Sequence, residues 1–109
     1  MKQQKIVNDF LKERGWHKYH TPKELLLGMV EEIGEFRNII KWELDETKVK
    51  EKIKENHQEI ENFFGDMLWE LCSLANYCEV DVSNALDKVI KNHEKRYPKN
   101  KVKGKHTNE

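Results

Sequence analysis

The chain has 109 residues, of which 37% are hydrophobic and 37% are charged. Its 20 basic residues balance 20 acidic ones, so no overall field attracts nucleic acid or an anionic membrane. The length suits one small domain, and we find neither a signal peptide nor an apolar run near the roughly 20 residues of a membrane span. A cytoplasmic protein is expected. Two prolines, five glycines and the lack of β-branched runs predict an all-α fold.

The first half of the chain predicts two amphipathic helices. Residues 3–14 carry apolar side chains at helical spacing and end at a glycine, and residues 16–20 are predicted to form a loop. A second helix begins at the sequence TPKE, in which Thr21 can cap the helix, a proline fits the first helical position and Glu24 completes a capping box. This helix is expected to run to about Glu43.

The second half of the chain predicts two further helices. Residues 44–56 are highly charged with few apolar anchors, so they form either a mobile connection or a solvated helical turn or two. A long helix is expected over residues 58–77, and an aspartate can cap a last helix over residues 82–96. Four helices around one core are the economical architecture for a single domain at residues 1–98. Residues 99–109 are polar and basic without periodicity, which predicts a disordered tail.

Winding the two long helices at about 100° per residue gives each a buried apolar stripe. In the second helix the stripe comprises Leu26, Met29, Val30, Ile33, Phe36 and Ile40. In the third helix it comprises Ile60, Phe63, Phe64, Met67, Leu71, Leu74 and Cys78. Cys72 and Cys78 point in different directions, so both are expected to be buried reduced thiols rather than a disulfide or a zinc pair.

Acids lie along the margins of these stripes. They are Glu32 and Glu35 in the second helix, with Glu31 further toward solvent, and Glu59, Asp66 and Glu70 in the third. Gly28, one turn before Glu32, leaves open space beside it. If the helices pack antiparallel, the acids meet, and Mg²⁺ or Mn²⁺ would offset their repulsion, bind a triphosphate and activate a water. In so charged a chain the same spacing also fits a solvated helix face, and spacing alone leaves both interpretations open.

Two motifs stand in order along the chain. Residues 31–35 read EEIGE, and residues 65–98 read GDMLWELCSLANYCEVDVSNALDKVIKNHEKRYP, with Asp66 near the start. In this order they resemble the EExxE motif and the region around the ExxD motif of the MazG-like all-α nucleoside triphosphate pyrophosphohydrolases. The similarity covers about residues 15–98.

This resemblance implies an α-helical bundle that assembles as a homodimer or homotetramer. The implied reaction is hydrolysis of a (deoxy)nucleoside triphosphate to the monophosphate and pyrophosphate, with Mg²⁺ or Mn²⁺ as cofactor. The resemblance further implies that Glu32, Glu35 and Asp66 ligate the metal. Glu31 matches a catalytic position, as a water activator or a supporting group.

One position departs from the family motif. The glutamate expected three residues before Asp66 is Phe63 here. Because phenylalanine cannot ligate a hard cation, Glu59 and Glu70, which lie close to Asp66 in helix angle, are the candidate replacements. The departure also leaves an alternative open, in which the chain is a catalytically degenerate helical module with a binding or regulatory role.

Substrate-binding residues are expected on two other segments. Lys91 and Asn92 match positions that face the nucleotide in the family, and Trp16 could either stack on a base or simply pack. The lysines of residues 99–109 could supply salt-sensitive attraction for nucleic acid, but a solubilising terminus is the preferred interpretation, so no nucleic-acid partner is expected.

Overall fold

The computed structural model describes residues 1–104, which form six α-helices and one short 3₁₀ turn without any strand. The helices are α1 (Lys2–Glu13), α2 (Pro22–Ile40), α3 (Glu46–Glu55), α4 (His57–Tyr77), α5 (Val82–Arg96) and α6 (Lys99–Val102). The all-α prediction is confirmed. The 3₁₀ turn, His17–Tyr19, lies in the predicted loop before α2. Of the predicted tail, residues 99–102 form α6, and residues 105–109 lie outside the described part of the chain.

Helix α3 occupies the charged segment that the sequence left open between a connection and a few helical turns. Its residues include many lysines and glutamates, which are good helix formers. Asp45 caps it by accepting a hydrogen bond from the backbone N–H of Thr47 at 2.8 Å. The described chain therefore has more helices than the four that the sequence predicted, and α3 packs lightly on α2 and α4.

The starts of α2 and α5 differ in how they are capped. Thr21 stands at the N-cap of α2, but its side chain accepts no hydrogen bond from the described N–H groups of that helix, so the predicted capping box is not formed. The fixed φ of Pro22 suits the helix start without it. Asp81 caps α5 as predicted, accepting a hydrogen bond from the N–H of Asn84 at 2.9 Å.

Helices α2 and α4 lie antiparallel and form the most extensive helix–helix contact in the described chain. Phe36, late in α2, meets Phe63, early in α4, with ring centroids 5.0 Å apart. Gly28, early in α2, faces Glu70, late in α4. The margins of the two helices therefore run side by side over several turns.

The most buried apolar cluster lies between α1 and α4. Val7 and Leu11 of α1 pack with Cys72 of α4, and Phe10 and Trp69 border them. The Cys72 thiol is buried, as predicted, and burial raises its pKa. Cys78, at the C-cap of α4, is exposed, so the prediction that it is buried was wrong.

The predicted stripe of α2 is partly wrong, because the helix turns a different side toward α4. Leu25, outside that stripe, is 4% exposed, whereas Leu26, Val30 and Ile33 are 50%, 65% and 52% exposed. Further exposed apolar side chains are Phe64, Leu68 and Leu71 on α4 and Leu86, Val89 and Ile90 on α5. These residues leave apolar faces of three helices without cover in the single chain. None of the helices that the structure describes is both long and apolar enough to cross a membrane.

Gln4 joins three parts of the chain. Its Nε2 donates to Oδ1 of Asn76 at 3.0 Å and to the carbonyl of Val80 at 2.7 Å, and its Oε1 accepts from the N–H of Val82 at 2.9 Å. The side chain is buried, so these bonds replace its contacts with water. Gln4 thereby ties α1 to the end of α4 and the start of α5.

Candidate metal-binding site

Acids from α2 and α4 line one open cleft between the two helices. Glu32 and Glu35 approach from α2, and Glu59 and Asp66 approach from α4. The cleft encloses about 290 Å³, and we call it the acid cleft. Four predicted metal-facing acids thus share a single concave surface on one chain.

Glu32 is half-buried at the centre of the negative charge. Burial raises the pKa of Glu32 above its ordinary value of 4.5, and the charges of Asp66, Glu35 and Glu31 raise it further. Glu31 itself is exposed on the outer side of α2. Glu32 therefore loses its proton less readily than an isolated glutamate does.

Glu70 lies one helical turn beyond Asp66 and reaches toward α2 at Gly28. A Cβ atom at position 28 would stand 2.5 Å from Oε1 of Glu70, so the missing side chain leaves a notch that the carboxylate fills. Oε2 of Glu70 is buried without a hydrogen-bond partner among the described residues. Burial raises the pKa of Glu70, and the charges of Glu32, Asp66 and Glu31 add to the effect.

His20 borders Glu70 from the predicted loop. Burial and like charges raise the pKa of Glu70, and His20 opposes them by lowering it. Nδ1 of His20 lies 3.1 Å from the carbonyl oxygen of Trp16. With Trp69 and Glu70, His20 lines a second cleft of about 170 Å³. From the sequence His20 was predicted only to lie in a loop, because its position beside Glu70 depends on the path of the 3₁₀ turn, which no local pattern signals.

Phe63 stands where the resemblance predicts a glutamate. Its ring packs edge-on against Phe36, with centroids 5.0 Å apart, and against Phe64, with centroids 5.2 Å apart. We call these three residues the aromatic cluster. Glu59 lies one turn before Phe63 on α4, so the α4 members of the aromatic cluster, Phe63 and Phe64, stand between Glu59 and Asp66 along the helix.

The predicted substrate residues lie outside the acid cleft. Trp16 is 45% exposed and packs edge-on against Phe10, with centroids 5.8 Å apart. Lys91 and Asn92 are exposed on α5, which packs lightly on the rest of the described chain. One chain by itself therefore does not bring these three side chains to the acids.

The side chains around the acid cleft fit a hard divalent cation, although their positions do not form a finished ligand sphere. Within residues 1–104, no group of three or more histidine, cysteine, aspartate or glutamate side chains converges closely enough to hold an ion. Glu70 nevertheless offers a buried oxygen without a partner, and Gly28 leaves the space that this carboxylate needs. Carboxylate oxygens are the donors that Mg²⁺ and Mn²⁺ prefer.

Comparison with known proteins places the chain in a family. A family model, the MazG nucleotide pyrophosphohydrolase domain, matches residues 20–101. The dCTP pyrophosphatase 1 proteins of Bos taurus and of Homo sapiens are each 31% identical to the chain over 91 residues, covering 83% of this chain and 54% of theirs. The chain thus spans about half the length of these relatives.

A solved structure agrees with the sequence match. The crystal structure of a pyrophosphatase from Archaeoglobus fulgidus DSM 4304 superposes on this chain with a TM-score of 0.78 and 29% sequence identity. The superposition covers 89% of this chain and 90% of that one, so the helical fold is shared over nearly the whole length. The chain belongs to the MazG nucleotide pyrophosphohydrolase domain family.

Proposed function

We propose that the chain is a nucleoside triphosphate pyrophosphohydrolase that depends on Mg²⁺ or Mn²⁺ and releases a monophosphate and pyrophosphate. One observation carries the proposal: acids of the EExxE motif on α2 and Asp66 on α4 line the same cleft, in a chain that the family model matches over residues 20–101. The cytoplasm, where reduced thiols persist, is the compartment we assign to this activity.

Each acid has a proposed task. Glu32, Glu35 and Asp66 would hold the ion, which when bound supplies positive charge to the phosphate oxygens. Glu31, on the solvent side of α2, would accept a proton from the attacking water. The water oxygen bonds to the α-phosphorus, and the bond from that phosphorus to the oxygen that bridges the α- and β-phosphates breaks. Pyrophosphate leaves with the electron pair of that bond.

The substrate contacts are proposed to come from Trp16, Lys91 and Asn92. Lys91 would neutralise phosphate charge, Asn92 would hydrogen-bond the nucleotide, and the half-exposed face of Trp16 would stack on the base. Because two of the similar proteins are named dCTP pyrophosphatase, dCTP is the first triphosphate to assay.

We also propose that the chain works as a homodimer or homotetramer. Its radius of gyration is 17.7 Å, whereas a compact chain of this length has about 13 Å. Its accessible surface is 9205 Å², about 2,800 Å² more than a compact monomer of this mass exposes. Covering that excess on two chains would bury about 5,600 Å², in the range of obligate dimers.

The exposed apolar faces supply the surface for this association. Val30 and Ile33 on α2 and Leu86 on α5 are each more than half exposed. Light scattering after gel filtration should give at least twice the monomer mass for the parent and a smaller mass for Ile33→Asp. The matched control is Lys48→Asp, an exposed change on α3 that should leave the mass unchanged. A parent that elutes as a monomer at micromolar concentration would contradict the association.

The activity itself is tested by pyrophosphate release from the common ribo- and deoxyribonucleoside triphosphates. Release should require added Mg²⁺ or Mn²⁺, and Glu32→Gln should abolish it. Glu61→Gln is the matched control, because Glu61 is an exposed acid of α4 outside the acid cleft. No turnover of any triphosphate by the parent, with either metal, would refute the proposal.

Phe63 favours a second candidate, the catalytically degenerate module. The ring fills a position where the family motif has a carboxylate, and the aromatic cluster stabilises it there. This candidate predicts no Mn²⁺ binding by the parent and new binding by Phe63→Glu. Calorimetric Mn²⁺ binding by the parent would exclude it.

A further inference from the structure

We propose that Glu70, seated in the notch beside Gly28, takes the place of the family glutamate that Phe63 displaces and is the fourth carboxylate to ligate the metal. The inference rests on the proposed function, since it deepens the metal site of that reaction. It chooses between Glu59 and Glu70, which the sequence left as equal candidates, and it gives Gly28 a defined role.

Position along the helix favours Glu70. With a rise of about 1.5 Å per residue, Glu70 lies about 6 Å from Asp66 along α4, whereas Glu59 lies about 10 Å away. Because α2 runs antiparallel, Glu70 faces Gly28, one turn from Glu32. Glu59 lines the acid cleft together with Asp66, but it lies about two helical turns from Asp66, and among the described residues it is Glu70 that carries a buried oxygen without a partner.

The surroundings of Glu70 call for a positive partner. Oε2 is buried and unpaired among the described residues, and a buried carboxylate oxygen without a partner is unfavourable. Its charged neighbours include Glu32, Asp66 and Glu31, all of the same sign, with His20 opposing them. A divalent cation between Glu70, Glu32 and Asp66 would satisfy all three carboxylates together.

Gly28 explains how Glu70 can lie there. A glycine in the middle of a helix destabilises the helix relative to alanine, so its presence points to a packing requirement. Here a Cβ atom would stand 2.5 Å from Oε1 and 3.1 Å from Cδ of Glu70. Any other residue would push the carboxylate out of the notch, and the end of a flexible glutamate side chain would move before the backbone did.

The experiment measures metal binding rather than turnover. Calorimetric titration with MnCl₂ compares the parent with Glu70→Gln, with Gly28→Ala and with Glu59→Gln, the competing candidate. Glu61→Gln, a change at an exposed acid of α4 outside the acid cleft, serves as the matched control. We expect Glu70→Gln to weaken Mn²⁺ binding at least tenfold and Glu59→Gln to change it less than twofold. Gly28→Ala should also weaken binding while its melting temperature without metal stays equal or rises, because alanine is the better helix former.

Melting temperatures with and without Mn²⁺ separate a ligand from a residue that merely holds a proton. Mn²⁺ should raise the melting temperature of the parent by more than that of Glu70→Gln. Equal increases in the two proteins would mean that Oε2 is simply protonated, and they would overturn the proposal.

The outcomes distinguish this inference from the proposed function. If Glu32→Gln loses Mn²⁺ binding while Glu70→Gln retains parental affinity, Glu70 is not a ligand and the pyrophosphohydrolase proposal stands. A parent that binds no Mn²⁺ overturns the Glu70 inference, and the pyrophosphate assay then decides the activity independently.

Discussion

Replacing Phe63 with glutamate restores the family motif and tests the site from the opposite direction. The substitution removes a half-buried aromatic ring and places a carboxylate beside the acid cleft. We expect two opposing results: Phe63→Glu should lower the stability of the metal-free protein, and Mn²⁺ should restore more stability to it than to the parent.

The size of the loss follows from the contacts of the ring. Removing a fully buried phenylalanine destabilises a protein by about 3–5 kcal/mol, so about 2 kcal/mol is reasonable for a half-buried one. The edge-on contacts with Phe36 and Phe64 add about 1 kcal/mol, and the new charge repels Asp66 and Glu59 by a few tenths more. A total of about 3 kcal/mol corresponds to a fall of about 12–24 °C in melting temperature for a domain of this size.

Thermal unfolding in a chelator, then in increasing MnCl₂, measures both effects. At a Mn²⁺ concentration about 100 times the dissociation constant, binding stabilises the folded state by about 2.7 kcal/mol. Mn²⁺ should therefore restore most of the stability that Phe63→Glu loses. Phe63→Leu is the matched control, because it keeps an apolar side chain, adds no charge and removes only the aromatic contacts.

Two results would refute this reasoning. If Phe63→Glu unfolds at the parental temperature without metal, the aromatic cluster does not stabilise the fold as its geometry indicates. If Mn²⁺ raises the melting temperatures of Phe63→Glu and Phe63→Leu equally, a carboxylate at position 63 does not reach the ion.

Three further predictions concern other parts of the structure. Gln4→Ala should reduce the free energy of unfolding, measured by urea titration, by about 3 kcal/mol, since it removes three buried hydrogen bonds. The control Gln3→Ala, a change at an exposed neighbouring residue, should have little effect in the same titration. The exposed Cys78 should react with a thiol reagent in the native protein, whereas Cys72, buried and with a raised pKa, should react after unfolding; equal native rates would contradict this burial. The pKa of Glu70 is raised in the folded protein, so without metal its contribution to stability is fully present below about pH 4.5 and is lost as pH rises through the higher folded-state pKa. The melting temperature of Glu70→Gln should therefore fall less than that of the parent between pH 4 and 8. Parallel curves for the two proteins would contradict this prediction.

The sequence predicted those features of the fold that depend on local patterns. The ends of α5 and the cap at Asp81 follow from turn chemistry and helical spacing, and the structure has both. The segment before α4 was ambiguous, since lysines and glutamates favour a helix and the shortage of apolar anchors argues against one. Capping by Asp45 and contacts with neighbouring helices resolve that ambiguity in favour of α3.

Parts of the candidate site could not be predicted from local sequence patterns, because they depend on which residues of α2 and α4 face each other. The acids were identified from their spacing, and Gly28 was seen to leave space, but that Glu70 fills this space is a property of the antiparallel pair. His20 approaches Glu70 from a turn whose path no periodicity encodes. The choice between Glu59 and Glu70 required the register of α2 against α4, which a single helix does not contain.

The error in the apolar stripe of α2 has the same origin and carries information about assembly. A helical wheel groups Leu26, Val30 and Ile33 with Phe36, because it sorts residues by direction and not by partner. In the folded chain Leu25 and Phe36 turn toward α4. The side chains of Leu26, Val30 and Ile33 remain at least half exposed. A stripe wider than one helix contact needs a second surface to cover it, since exposed apolar area of this extent is unusual in a monomer. The wide stripe is therefore what the proposed association requires, with one contact within the chain and one with another copy of it.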